Sequence, residues 1–154
     1  VLGSGRDSLG WASGSCACSV EVVGLMAIQT DMTDKALDGT DRGIFRVGEE
    51  FLYVLGIEND GGTSATPDLE VVLNLPRELE FVSGGGDSGI KVSGSGQTAK
   101  TSRFVLGSPN QKAQITFRVK VLAVPPSQFV KARATVQTTG GVMLASDTES
   151  TTVR

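Results

Sequence analysis

The chain has 154 residues, of which 39 % are hydrophobic, enough for the core of one ordinary domain but too few for two. Its 14 basic and 17 acidic residues leave a formal charge of −3, which gives no electrostatic attraction to nucleic acid. Histidine is absent, so the commonest general base and the commonest metal ligand are both missing, and neither an enzyme nor a bound cofactor is expected.

The first 15 residues are rich in glycine and serine, which predicts an extended leader, and we assign residues 16–154 to a folded domain. Three apolar residues stand out in this leader, Leu2, Leu9 and Trp11, and they are candidate subunit contacts because a lone tail offers them no core. No apolar run reaches the roughly 20 residues that cross a bilayer, so membrane insertion is not expected.

Cys16 and Cys18 are the only cysteines, and a single Cys-x-Cys lacks the further ligands of a structural zinc site. A disulfide between residues two apart is strained, whereas a disulfide between chains is geometrically easier. Both cysteines are therefore candidates for bridges to other chains. Free thiols in a reducing compartment remain the alternative.

After the cysteines, the composition changes near residue 30 from strand-forming to acidic residues. Residues 18–29 are rich in strand-forming side chains, and residues 30–43 are expected to form an acidic loop or a short helical turn. Its carboxylates are Asp31, Asp34, Asp38 and Asp41. Lys35 and Arg42 lie among them and the spacing matches no EF-hand, so a solvated loop is favoured over a calcium site.

Alternation of apolar and polar residues predicts the next two strands. Their inward-facing residues are Phe51, Tyr53, Leu55 and Ile57, followed by Leu69, Val71, Leu73 and Leu75. Pro76 should end the second strand, and Leu79 and Phe81 continue the pattern briefly. The glycine-rich residues 83–89 lack the lysine and the following helix of a phosphate-binding loop, and they are predicted to form a turn.

Two further alternating strands follow, and a Gly140-Gly141 turn leads into a last one, Val142 to Val153. The inward residues of the two are Ala113, Ile115, Phe117, Val119, Val121, and then Val130, Ala132, Ala134 and Val136. The Ser/Thr-rich end of the last strand predicts weak burial and therefore a position close to a sheet edge. About seven to nine short strands without an amphipathic helix predict an all-β, immunoglobulin-like β-sandwich with an extended N-terminal tail.

Residues Val47 to Gly84 resemble the bacterial surface repeat known as domain of unknown function eleven. The resemblance rests on Val47-Gly48-Glu49, on Asn59-Asp60-Gly61, on Ala65-Thr66, and on Leu75-Pro76 with Leu79, Phe81 and Val82. Domains of this family are immunoglobulin-like and occur in adhesins, stalks and envelope proteins, including the chlamydial cysteine-rich outer-membrane protein. The placement of Cys16 and Cys18 before the first strand is similar to cysteines of that type.

The resemblance implies a non-enzymatic protein of the bacterial envelope, extracellular or on the cell surface. We expect a structural subunit of a filament, sheath or layer, which associates with copies of itself through its N-terminal tail and its strand edges. Other envelope or extracellular proteins are the further partners to expect. The alternative is an adhesive module of a larger surface protein, binding carbohydrate or protein through its loops.

Overall fold

A computed structural model describes residues 27–60, 65–107 and 111–154. These ranges contain ten strands and a 3₁₀ turn at Asp87–Gly89, with no α-helix among the described residues. The strands are β1 (Ile28–Lys35), β2 (Ile44–Phe45), β3 (Glu50–Asn59), β4 (Leu69–Asn74), β5 (Leu79–Gly86), β6 (Val92–Ser95), β7 (Thr98–Thr101), β8 (Lys112–Val121), β9 (Phe129–Thr138) and β10 (Met143–Val153).

The strands form two sheets, and the chain is an immunoglobulin-like β-sandwich, as the sequence predicts. One sheet has the strand order β1-β3-β8-β5, and the other has the order β2-β10-β9-β4-β7-β6. Neighbouring strands run antiparallel except for β2, which pairs parallel with the end of β10. The sequence misses β2, β6 and β7, because runs of two to four residues are too short to display a period.

The core lies between the sheets and is built from the alternating faces of the long strands. Every side chain predicted to face inward on β3, β4, β8 and β9 is buried, so that prediction is confirmed. Three aromatic rings pack near the start of β3: Phe45 stacks on Phe51 with 4.4 Å between ring centroids, and Phe51 meets the edge of Tyr53 at 5.0 Å. Each fully buried aromatic or aliphatic side chain contributes about 1.5 to 3 kcal/mol to folding.

The predicted acidic loop over residues 30–43 is wrong in its first half. Residues Thr30 to Lys35 belong to β1, which pairs with β3 along its full length, from Ile28 opposite Asn59 to Lys35 opposite Leu52. Polar and charged side chains weaken the local strand signal, but hydrogen bonding to a long neighbouring strand outweighs it. The turn begins only after Ala36.

The glycine-rich segment is also not a turn for most of its length. β5 continues through Gly86 and pairs with β8, after a register shift between Phe81 and Ser83. A side chain at Gly84 would place its Cβ 2.6 Å from the Thr116 carbonyl oxygen, so glycine is what allows this strand to lie so close to its surroundings. Only the last residues of the predicted turn form the 3₁₀ turn.

We call the two ends of the sandwich, along the direction of its strands, the upper pole and the lower pole. At the upper pole the chain enters β1, where the Ala27 carbonyl accepts the Asp60 N–H at 2.8 Å. At the lower pole the Arg154 N–H donates to the Phe45 carbonyl at 2.9 Å, beside the start of β3 and the loop between β8 and β9. A ten-residue strand such as β3 is about 33 Å long, so Ala27 and Arg154 lie far apart.

Candidate functional site

The predicted subunit contacts and the candidate disulfide cysteines lie outside the described residues. These are Leu2, Leu9, Trp11, Cys16 and Cys18, all within residues 1–26. The surfaces on which such a segment would act are the strand edges, the outer sheet faces and the two poles.

The four aspartates of the predicted acidic loop are separated by the fold into two pairs. Asp31 and Asp34 are part of β1, whereas Asp38 and Asp41 lie in the turn that follows. Asp38 accepts hydrogen bonds from the Thr40 hydroxyl at 2.7 Å and the Thr40 N–H at 3.0 Å, which lower the pKa of its carboxyl. Asp41 pairs with Lys35 at 2.7 Å. Asp38 and Asp41 thus have local structural roles in the turn.

The outer edge of β1 is covered by side chains from β10. In an antiparallel pair, alternate residues direct their N–H groups away from the partner, and Met32 is one of these in β1. The Met32 N–H donates to Asp147 Oδ2 at 2.8 Å, and the other oxygen of the same carboxylate accepts the Thr148 N–H at 2.8 Å. Asp147 therefore joins the edge strands of the two sheets through one side chain.

Glu149, two residues after Asp147 on β10, makes the next contact with β1. Its carboxylate lies near the Asp34 N–H, the next edge group of β1, which favours the charged carboxylate and lowers its pKa. Burial raises the pKa of the Glu149 carboxyl, and the negative charges of Asp34, Asp147 and Asp31 raise it further. We call these four acidic residues the acidic seam: it blocks strand addition at β1, and its charges repel one another.

A buried hydrogen-bond chain lies under the acidic seam. Thr151 donates its hydroxyl to Asp34 Oδ2 at 2.5 Å, and its Oγ1 lies 3.3 Å from the Tyr53 hydroxyl. Tyr53 and Thr151 are almost completely buried, and burial raises the pKa of the Tyr53 phenol well above its usual range. Tyr53 is thus a core side chain that connects β3 to β10 and β1, and its ring is not available to stack on a ligand.

The opposite edge of the same sheet is covered as well. The Phe81 N–H of β5 donates to the Gly96 carbonyl at 2.8 Å, and the Gln97 side chain donates to the Leu79 carbonyl at 3.0 Å. Gly85 forms an isolated bridge with Lys91 just before β6. The hairpin of β6 and β7 therefore closes this side of the sandwich, and the four-stranded sheet keeps no long free edge.

The remaining edge lies along β10. Among the described strands, β10 has a partner on its outer side at Thr152 and Val153, where β2 pairs with it. The sequence places this strand close to an edge, and only two-residue β2 lies beyond it. Its last residues are not weakly buried as predicted, however, because Thr151 and Val153 are covered by β2 and the core.

A shallow hollow of about 610 Å³ lies on the outer face of the four-stranded sheet, centred on Gly56. Gly56 has no side chain to fill the space between Asp31 on β1 and Gln114 on β8. The rim is polar and includes Glu58 and Lys112. Such a surface can offer hydrogen bonds to a ligand.

The lower pole carries most of the exposed large apolar side chains. We define the lower-pole patch as Leu37, Ile44, Val47, Leu122 and Phe129, each between 39 % and 54 % exposed. A hollow of about 510 Å³ beside Phe129 is lined by Pro76, Glu78 and Lys131 among others. The sequence pattern did not reveal this patch, since its members come from four separate segments.

No cluster of three or more cysteine or acidic side chains suited to a metal ion occurs in residues 27–60, 65–107 and 111–154. In the same ranges, no helix is long and apolar enough to cross a bilayer. The described side chains with displaced pKa values are held by structural hydrogen bonds or by burial. The described residues thus offer surfaces for contact.

No protein-family model matches the chain, and no curated protein matches it by sequence. Solved structures do share its fold. The CARDB domain of the PF1109 protein from Pyrococcus furiosus, in complex with di-metal ions, has a TM-score of 0.56 at 16 % identity, over 84 % of this chain and 90 % of that one. A cohesin module of a Clostridium perfringens family 33 glycoside hydrolase has a TM-score of 0.56 at 13 % identity, and the match covers 85 % of this chain and 98 % of the module.

The full-length major pilin SpaD of Corynebacterium diphtheriae matches with a TM-score of 0.51 at 16 % identity, over 82 % of this chain. The matched region is 33 % of the pilin chain. AvmM, which catalyses macrocyclization in alchivemycin A biosynthesis, has a TM-score of 0.51 at 11 % identity, over 82 % and 88 %. At these identities the likeness shows the fold alone, and function must be argued from this chain's own surfaces.

Proposed function

We propose that the chain is a non-catalytic structural subunit of a bacterial cell-surface filament, sheath or layer, which associates with its own copies through the N-terminal leader. The observation that carries the proposal is the separation of the poles. The leader precedes Ala27 at the upper pole, whereas the apolar patch lies at the lower pole. A contact between two different surfaces of one subunit repeats from copy to copy.

The covered strand edges support the same mode of association. The acidic seam blocks β1, and the β6–β7 hairpin blocks β5, so the two long edges of one sheet are closed to added strands. The edge of β2 and the adjacent outer side of β10 remain for contacts between strands. Association through strand edges is therefore proposed at the lower pole, where β2 lies.

The cysteines fit this assembly as covalent locks. Cys16 and Cys18 lie between the apolar anchors of the leader and β1, and disulfides to a second chain would tie together subunits that have already docked. We further propose an extracellular or cell-surface location and a distant relationship to the repeats of the domain of unknown function eleven. That relationship rests on the motif residues from Val47 to Val82.

The test is assembly of the full chain under oxidising conditions, followed by electron microscopy and sedimentation over a range of concentrations. Replacing Leu2, Leu9 and Trp11 together by serine should abolish polymers, since each apolar anchor contributes about 1.5 to 3 kcal/mol when buried. Replacing Ser4, Ser8 and Ser13 by alanine changes the same number of leader residues and should leave assembly intact.

Two results would contradict the proposal in different ways. A wild-type chain that stays monomeric at every concentration would exclude self-assembly. Polymers of unchanged form from the triple-serine variant would exclude the leader as the contact. Serine at Cys16 and Cys18 should still allow assembly, but the polymers should dissociate on dilution and show no dimer band on a non-reducing gel.

The second candidate is an adhesive or ligand-binding module, and the hollow around Gly56 favours it. Its polar rim suits hydrogen bonding to a carbohydrate or to a protein loop. Gly56→Val would place a branched side chain in the hollow from the outer face of β3, where the nearest atom to a Cβ is the Asp31 carbonyl oxygen at 3.8 Å. Loss of cell or glycan binding in this variant, with unchanged assembly, would favour the module.

A further inference from the structure

The lower-pole patch gathers residues from segments that are distant in sequence. Thr152 of β10 lies directly between Ile44 of β2 and Phe129 of β9, so both apolar side chains flank it on one face of the sheet. Leu122 is held nearby, since its N–H donates to the Glu78 carbonyl and Glu78 lines the hollow beside Phe129. Val47 adjoins Gly48, which donates to the Val121 carbonyl. Single exposed apolar residues are common, but a group gathered at one pole marks a contact surface.

We propose that the lower-pole patch is the docking surface for residues 1–26 of the next copy of the chain. This inference rests on the proposed self-assembly and adds the surface that receives the leader. The patch on one copy and the leader on another form a head-to-tail contact, in which each subunit supplies one of each.

The geometry supports a contact between copies. Residues 1–26 are joined to Ala27, which lies at the upper pole, the end of the subunit opposite the patch. Fully extended, 26 residues reach about 85 Å, enough to cross from one subunit onto the facing pole of the next. The apolar residues Leu2, Leu9 and Trp11 lie 16 to 25 residues before Ala27, at distances that such a crossing requires.

The chemistry of the two surfaces is complementary. The charged residues among residues 1–26 are Arg6, Asp7 and Glu21, and the remainder is apolar, small or hydroxylated. Phe129 presents a half-exposed ring beside a hollow edged by Pro76. An indole or leucine side chain placed there buries apolar area on both partners, and an aromatic pair adds to that gain. Glu78 and Lys131 at the rim can pair with the few leader charges.

The test compares full-length variants by sedimentation equilibrium. Phe129→Ser should weaken association about 10- to 100-fold, the factor expected when one buried aromatic side chain is lost. Val82→Ser removes an exposed apolar side chain on β5, outside the patch, and should leave the association constant unchanged. Leu122→Ser gives a second variant of the patch, and equal melting temperatures of all variants would show that folding is intact.

A mixing experiment identifies the occupant of the patch. Trp11→Ser should weaken association as Phe129→Ser does, and combining the two changes should cost little more than either alone, because they act on one contact. The Phe129→Ser chain keeps an intact leader and the Trp11→Ser chain keeps an intact patch. Mixed in equal amounts, they should form a complex of one copy of each and grow no further.

The outcomes separate this inference from the proposed function. Normal polymers from Phe129→Ser and Leu122→Ser would overturn the patch as docking surface, while self-assembly itself would stand. The docking role of the patch would also be overturned if the double variant lost as much association affinity as the two single variants together, or if the mixed variants did not pair. In either case the leader and the patch would act at different contacts. A wild-type chain that never associates would instead refute the proposed function.

Discussion

Asp147 is the residue through which the acidic seam is best tested. Its carboxylate accepts the N–H groups of Met32 and Thr148, both at 2.8 Å, and so connects the edges of the two sheets. Asp147→Ala leaves both donors without this acceptor. A hydrogen bond to a charged group contributes about 1.5 to 3 kcal/mol, but water competes at this half-exposed position.

Because of this competition, the expected loss is about 1 to 2 kcal/mol of unfolding free energy, less than the roughly 3 to 6 kcal/mol of two fully buried bonds of this kind. Relief of repulsion with Glu149 offsets part of the loss, since the Asp147 charge helps to raise the pKa of Glu149. For a domain of this size, that loss lowers the melting temperature by about 2 to 8 °C.

Urea denaturation gives the free energy, and amide hydrogen exchange gives the location. Exchange of the Met32 amide should accelerate about tenfold or more, whereas amides in the centre of β8 should change only with global stability. Ser146→Ala, one residue earlier on β10, removes an exposed 3.3 Å contact to Arg133 and should stay within about 0.5 kcal/mol of wild type. An Asp147→Ala chain with unchanged stability and unchanged Met32 exchange would refute the assigned role.

Three further outcomes follow from the same structure. The raised pKa of Glu149 means that its ionisation destabilises the folded state as pH rises through that pKa, so Glu149→Gln should raise the melting temperature at neutral pH, with the gain disappearing in acid. Tyr53 is the only tyrosine, and ultraviolet titration should show its phenol ionising well above the usual pKa and near normally once the chain is unfolded. Gly84→Ala should cost about 1 to 3 kcal/mol of stability by denaturant titration, while Gly85→Ala, which meets nothing within 4 Å, should cost far less; equal costs would contradict the close packing described for β5.

Much of the fold was predictable from local patterns. The alternation in Phe51 to Ile57 and in Ala113 to Val121 identified the strands and their buried faces, because a period of two places every second side chain on one side of a sheet. The patterns failed where a neighbouring strand decides the local structure. β1 is a strand because β3 supplies its hydrogen bonds, and residues 83–86 extend β5 because glycine permits close approach to Thr116.

The sequence by itself determined an all-β sandwich without histidine chemistry, since composition and periodicity are local properties of the chain. Tertiary structure alone decided which surfaces are closed and which are exposed. Asp147 and Met32 are separated by 115 residues, and Ile44 and Phe129 by 85, yet the first pair seals an edge and the second shares an apolar pole. No pattern along the chain encodes such neighbours, because strand order and register bring them together.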